Sequence, residues 1–294
     1  MKFAVNNFIY GEEPFEETLK RLAKYGYDGV EIVSFEPETM NANEIKGLLK
    51  SYELEPRSVC GVWPPEKDLI SGDRKSREAA IQYAKVCCKL IADLEGDLFT
   101  GMVPSAVLKI KPMASEEEEW RWGVEGIRNV AKYAADFGVR IAIEPLNRFE
   151  TYFINRSDQA LRLMQDINMD NVGIMLDNFH MNIEESSPLE AIKIAGKHLW
   201  GFHVADSNRM PPGQGHTDWK AIINALKGIG YDDYLVMEFL APMDRTPIKT
   251  ISYEDKHSGK PLVEYLIAHG TRTLSRKYYD QATEYSINYM KKLL

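Results

Sequence analysis

From residue 2 to residue 240, apolar runs of strand length alternate with longer runs of helical period, and the pattern returns eight times. KFAVNNF, GVEIVSF, RSVCGVW, DLFTGMV, VRIAIEPL, NVGIMLDNF, LWGFHVAD and YLVMEFL read as the strands. Between them lie segments such as PFEETLKRLAKYGY, where Phe15, Leu19, Leu22 and Ala23 form one helical stripe before Gly26 stops it. Further helices are expected from a cap at Asn41 or Asn43, over about 73–94, 115–137, 157–167, 188–195 and 218–227. The acids at 116–119 follow Ser115, as suits a helix start, where a hydroxyl and negative charge meet free amides. Eight strands, each followed by a helix, predict an α/β fold of the closed parallel (β/α)8 TIM-barrel type.

A chain of 294 residues is long enough for one such barrel, and no stretch rich in Gly, Pro or Ser divides it. The reading is therefore a single barrel domain over residues 1–294, with a polar insertion at about 241–262 and a C-terminal helix at about 273–294. A formal charge of −8 makes nucleic acid and anionic membrane surfaces poor partners. No apolar run approaches the length of a membrane helix, and the first residues lack the pattern of a signal peptide. Three cysteines, Cys60 and the adjacent Cys87 and Cys88, cannot form a fully paired disulfide framework, which fits a reducing cytoplasm.

Ionisable residues stand where apolar strands end: Glu144 in IAIEPL, Asp177 in IMLDNF, His203 in GFHVAD and Glu238 in LVMEFL. They fall about one βα unit apart, so a barrel sets all four at one level of its rim, where active sites of this architecture are built. Three carboxylates and an imidazole in one pocket repel one another unless a cation neutralises them. An oxygen-rich set with one nitrogen suits Mn²⁺, Mg²⁺ or Co²⁺ better than structural zinc. Asn147, Arg148, Glu150, His180, Asn208 and Arg209 follow these strands and supply the mixed donors and acceptors a sugar needs. Phe8 and Trp63, at other strand ends, can offer apolar faces to a sugar or belong to the core. GQGHTDW does not follow a strand, so it is not a phosphate-binding fingerprint, and no nucleophile motif is present.

The segments EPLNRFET, MLDNFHMNIEE, FHVADSNRMPPGQG and VMEF resemble the ketose 3-epimerases of the D-tagatose and D-allulose type, in the xylose-isomerase-like barrel superfamily. The resemblance is strongest over residues 123–239. It implies one divalent metal, Mn²⁺ foremost, on Glu144, Asp177, His203 and Glu238, with Glu144 and Glu238 as the acid/base pair. It also implies that Glu150, His180 and Arg209 hold the substrate, and that the reaction is inversion at C3 of a free ketose through an enediolate. Such barrels are commonly homo-oligomers.

After Glu238 the family's Pro-Phe is replaced by Phe239 and Leu240, its Trp-Arg-Asp stretch is absent, and the polar insertion follows. That departure leaves two alternatives. One is the barrel subunit of a metal-dependent 3-oxo-C-glycoside lyase with a small β-sandwich partner; the other is a different keto-sugar or inositol isomerase or dehydratase.

Overall fold

Inside each strand segment, β-branched and aromatic residues occupy alternate positions, and this alternation sorts the side chains between two sides of one sheet. The strands are β1 (Lys2–Asn6), β2 (Gly29–Ser34), β3 (Glu55–Gly61), β4 (Leu98–Met102), β5 (Arg140–Ile143), β6 (Val172–Asp177), β7 (Leu199–Val204) and β8 (Tyr234–Met237). They pair in parallel in chain order, and β8 returns to β1 to close the barrel. The computed structural model describes residues 1–11, 13–240 and 275–294, so the expected insertion at 241–262 lies outside the described residues.

The helices are α1 (Phe15–Tyr25), α2 (Ala42–Ser51), α3 (Arg74–Asp93), α4 (Glu116–Ala135), α5 (Ser157–Ile167), α6 (Asn178–Glu184), α7 (Pro188–Ala195) and α8 (Trp219–Gly228), with a C-terminal helix at Arg276–Lys291. Their starts follow local chemistry. Asn41, Asp73 and Asp218 accept from amides of the first turn, and Ser115 and Glu118 form a reciprocal capping box. Gly26 ends α1 at φ +74°, a backbone conformation that glycine adopts without steric cost. None of the described helices is long and apolar enough to cross a membrane.

Two elements depart from expectation. The first strand stops at Asn6, because its side chain accepts from the Phe8 amide and turns the chain into a short 3₁₀ helix, Asn7–Tyr10. The sixth stops at Asp177, whose carboxylate caps the unanticipated α6 through the Phe179 amide at 2.8 Å.

The outward strand residues, among them Val5, Ile32, Val59, Phe99, Ile143, Leu176, Val204 and Leu235, join the helices in one large core. The opposite parity gives two small clusters, Ala4 with Tyr234 and Val236, and Leu98 with Ala142 and Met175. These fill the barrel's interior. Two residues further along the same strands, the inward series becomes polar: Asn6, Thr100, Glu144, Asp177 and Glu238. The site therefore rests on an apolar floor.

The C-terminal helix is tied to the first βα unit by a buried cation. Arg21 pairs with Glu13 and, at 2.8 Å, with Asp280, and lies over the rings of Tyr10 and Tyr279.

Candidate active site

Glu144 follows β5, Asp177 ends β6, His203 lies in β7 and Glu238 follows β8, and all four are buried. Glu144, Asp177 and His203 each offer a ligand atom within 4.8 Å of the others. Glu238 Oε2 lies 3.2 Å from His203 Nδ1, and Glu144 Oε1 lies 3.8 Å from the same nitrogen. Thus the structure brings together the four strand-end residues singled out above. His203 Nδ1 is buried without a hydrogen-bond partner among the described residues, which is costly unless something else uses its lone pair.

The electrostatics show a crowded set of acids. Burial, reinforced by Glu238 and Asp177, pushes the Glu144 carboxyl well above the usual carboxylate range. Burial likewise raises Asp177 to about 7, although Arg209 opposes it. Glu238 is also buried, yet the positive charges of His203 and Arg209 outweigh that and hold it below its ordinary value. For His203, burial disfavours the charged form, but Glu238 and Glu31 prevail and raise it well above the usual imidazole range. An acidic, imidazole-containing donor set with an orphaned nitrogen fits a divalent cation of the Mg²⁺/Mn²⁺/Co²⁺ kind.

Around this centre, Arg209 reaches Asp177 Oδ2 at 3.1 Å and Glu238 Oε2 at 2.7 Å. It is presented by a tight loop in which Arg209 itself has φ +64°. Asp206 organises that loop by accepting from the amides of Ser207, Gly213 and Thr217 and from the Trp219 indole. A Cβ at Gly215 would lie 2.1 Å from the Asp206 carboxylate, so only glycine lets the chain pass so close. His180 Nδ1 accepts the Asn147 backbone amide at 3.2 Å, and its Nε2 lies 3.4 Å from Arg209 Nη1 and 3.7 Å from Asp177. Burial and Arg209 keep this imidazole neutral. Glu150 is held by the Asn147 amide side chain at 2.8 Å, 4.0 Å from His180.

The remaining candidates divide. Phe8 is half-buried on the turn after β1, beside Phe35 at 6.4 Å. Trp63 packs in the main core, edge-to-face on Tyr83, with its indole N–H donated to the Gly101 carbonyl at 2.5 Å. Arg148 pairs with Glu184, and Asn208 bonds the Gln214 carbonyl within its own loop.

Sequence reasoning missed Glu31, fully buried in β2, which meets His203 Nε2 at 2.6 Å. An acid inside GVEIVSF was the available signal. Glu31, Cys60 and Glu238 also converge within 4.8 Å, where burial and the adjoining carboxylates push the Cys60 thiol well above its ordinary range.

Comparison with known proteins gives a consistent set of matches. The family model described as the xylose isomerase-like TIM barrel matches residues 19–252. D-psicose 3-epimerase of Ruminiclostridium cellulolyticum is 33% identical over 248 residues, 81% of this chain and 84% of its own. D-psicose 3-epimerase of Agrobacterium fabrum is 32% identical over 227 residues, 76% of this chain and 78% of its own. The crystal structure of D-psicose 3-epimerase with D-tagatose from Clostridium cellulolyticum H10 superposes with a TM-score of 0.84 at 28% identity, covering 100% of this chain and 99% of that one.

Proposed function

The chain belongs to the xylose isomerase-like TIM barrel family, and from that premise we propose that it is a metal-dependent ketose 3-epimerase acting on a free ketose. The observation that carries this reading is the convergence of Glu144, Asp177, His203 and Glu238 around the orphaned His203 Nδ1, in a chain whose relatives bear epimerase names. These four residues hold one divalent cation, Mn²⁺ or in its place Mg²⁺ or Co²⁺. When bound, the cation supplies Lewis-acid stabilisation of the charge that grows as a proton leaves a carbon beside a carbonyl.

The chain's own groups perform the proton transfers. Glu144 and Glu238 come from β5 and β8, separated around the ring by β6 and β7, so they address the centre from different sides. Inversion needs that arrangement: one carboxylate removes the C3 proton from one face, and the other delivers a proton to the opposite face. His180, a neutral imidazole, hydrogen-bonds a sugar oxygen or hydroxyl, Arg209 supplies a fixed positive charge, and Glu150 accepts from a hydroxyl. Phe8 lines the apolar side of the opening.

Incubation with D-fructose, D-tagatose or L-ribulose in D₂O with Mn²⁺, followed by removal of the metal and NMR of the sugar, tests the proposal. Deuterium at C3 together with the C3 epimer is the expected result. No exchange at C3 of any ketose would reject it, and release of an aglycone from a 3-oxo-glycoside would favour the lyase.

A further inference from the structure

We propose that Glu31 is a positioning residue for this centre: its carboxylate holds the Nε2–H of His203 and so turns the Nδ1 lone pair towards Glu144 and Glu238, where the cation binds. This rests on the metal-site reading above. Glu31 is completely buried in β2, whereas His203 is in β7, whose sheet neighbours are β6 and β8, so the contact of 2.6 Å spans the barrel interior. Glu31 Oε1 also receives the Asn6 amide at 3.0 Å, and Oε2 receives the hydroxyls of Ser58 and Thr100 at 2.5 Å each.

An ionised carboxylate only accepts, so the ring nitrogen facing it must donate, and in the neutral ring that a ligand must be, the lone pair falls on the other nitrogen. Nδ1, without a hydrogen-bond partner among the described residues, is the nitrogen this contact leaves for a cation. With four donors on its two oxygens, Glu31 is already saturated, which places it behind the ligand rather than among the ligands. The same device reaches Glu238: the Asn6 amide that bonds Glu31 also donates to Glu238 Oε1 at 3.0 Å. One buried carboxylate thus orients an imidazole and, through Asn6, a carboxylate of the acid/base pair. Groups behind metal-ligating histidines typically contribute about 10–100-fold in metal affinity.

Glu31→Leu removes the acceptor for Nε2–H, whereas Glu31→Gln retains volume and an acceptor, with the Ser58 and Thr100 hydroxyls able to rotate to accept from the new amide. Calorimetric titration of Mn²⁺ into chelator-stripped protein should give a Kd about 10–100-fold weaker in Glu31→Leu than in the unsubstituted chain, with affinity largely kept in Glu31→Gln. The ring ¹⁵N shifts of His203 in the Mg²⁺-loaded, unsubstituted protein should show Nε2 protonated and Nδ1 bare, a reading independent of how the variants fold. An unchanged Kd in Glu31→Leu, or a proton on Nδ1, overturns the inference alone. An unsubstituted chain that binds neither cation overturns the metal-site reading, and this inference with it.

Discussion

Metal binding should expel protons, and their number follows from the charges buried at the rim. Fully ionised, Glu31, Glu144, Asp177 and Glu238 would set four negative charges against the two positive ones of His203 and Arg209. The chain relieves that surplus by protonation. Glu144 lies well above the usual carboxylate range and Asp177 near about 7, both chiefly through burial, whereas Glu31 and Glu238 are held ionised. His203, despite burial, is drawn to its doubly protonated form by Glu238 and Glu31.

To act as ligands, Glu144, Asp177 and His203 Nδ1 must all give up their protons. Asp177, near about 7, gives up about half a proton at neutrality, and Glu144 and His203, both raised, add to that release. The sign is fixed: the free site binds more protons than the occupied one, so acid weakens the complex. The apparent Kd should rise by at least about 5-fold, the share of Asp177 alone, when the pH falls from about 7 to about 6. Glu31 and Glu238 are ionised in both states and contribute nothing to the slope. Calorimetric titrations at one pH in buffers of different ionisation enthalpy count the released protons, and titrations across pH measure the slope. Release of less than about half a proton, or a Kd that does not vary with pH, would refute this account of the buried charges.

Glu144→Gln and Glu238→Gln should each lower kcat by about 10²–10⁴-fold, the usual range for a general acid or base. His180→Ala should act mainly on KM, and equal, mild losses in all three variants would remove the proposed division of roles. Chelation should abolish activity and lower Tm, and Mn²⁺ or Co²⁺ at about 100 times its Kd should restore about 2.7 kcal/mol of stability. A chelator-treated protein unaltered in both respects counts against a resident cation. Arg21→Met should cost about 3–5 kcal/mol in urea unfolding, because it strands Glu13 in a buried setting. A change within about 0.5 kcal/mol would show that the cation's ties to α1 and the C-terminal helix contribute little.

The barrel was legible because a strand buried on both faces and an amphipathic helix leave different periods in a sequence, and eight repetitions permit few other folds. The helix starts were readable for a similarly local reason: Ser115 with Glu118, or Asp73 before Lys75, satisfies amides within one turn. Legibility failed where one residue serves two elements. Asp177 completes β6 by its backbone and starts α6 by its side chain, so NVGIMLDNF reads as one long strand. Trp63 was ambiguous for another reason. An aromatic residue at a strand end can face a cavity or the helices, and here Tyr83 and the Gly101 carbonyl provide both its packing and its hydrogen bond.

Glu31 exposes what a strand-end rule leaves out. In GVEIVSF it interrupts an apolar run as plainly as Glu144 does in IAIEPL, but it lies inside its strand rather than at its end, where ligands are sought. Ser58 and Thr100 supply hydroxyls to it, and both are buried and directed at its carboxylate. A charge at that depth cannot be solvated, so it must have partners, and in this chain one partner is an imidazole that belongs to the rim. Any ionisable residue of inward parity in a barrel strand therefore calls for an assigned partner, wherever it stands in its strand. Applied to this chain, that criterion adds Glu31 to Glu144, Asp177, His203 and Glu238, and it also selects Lys2 and Arg140 at the starts of β1 and β5.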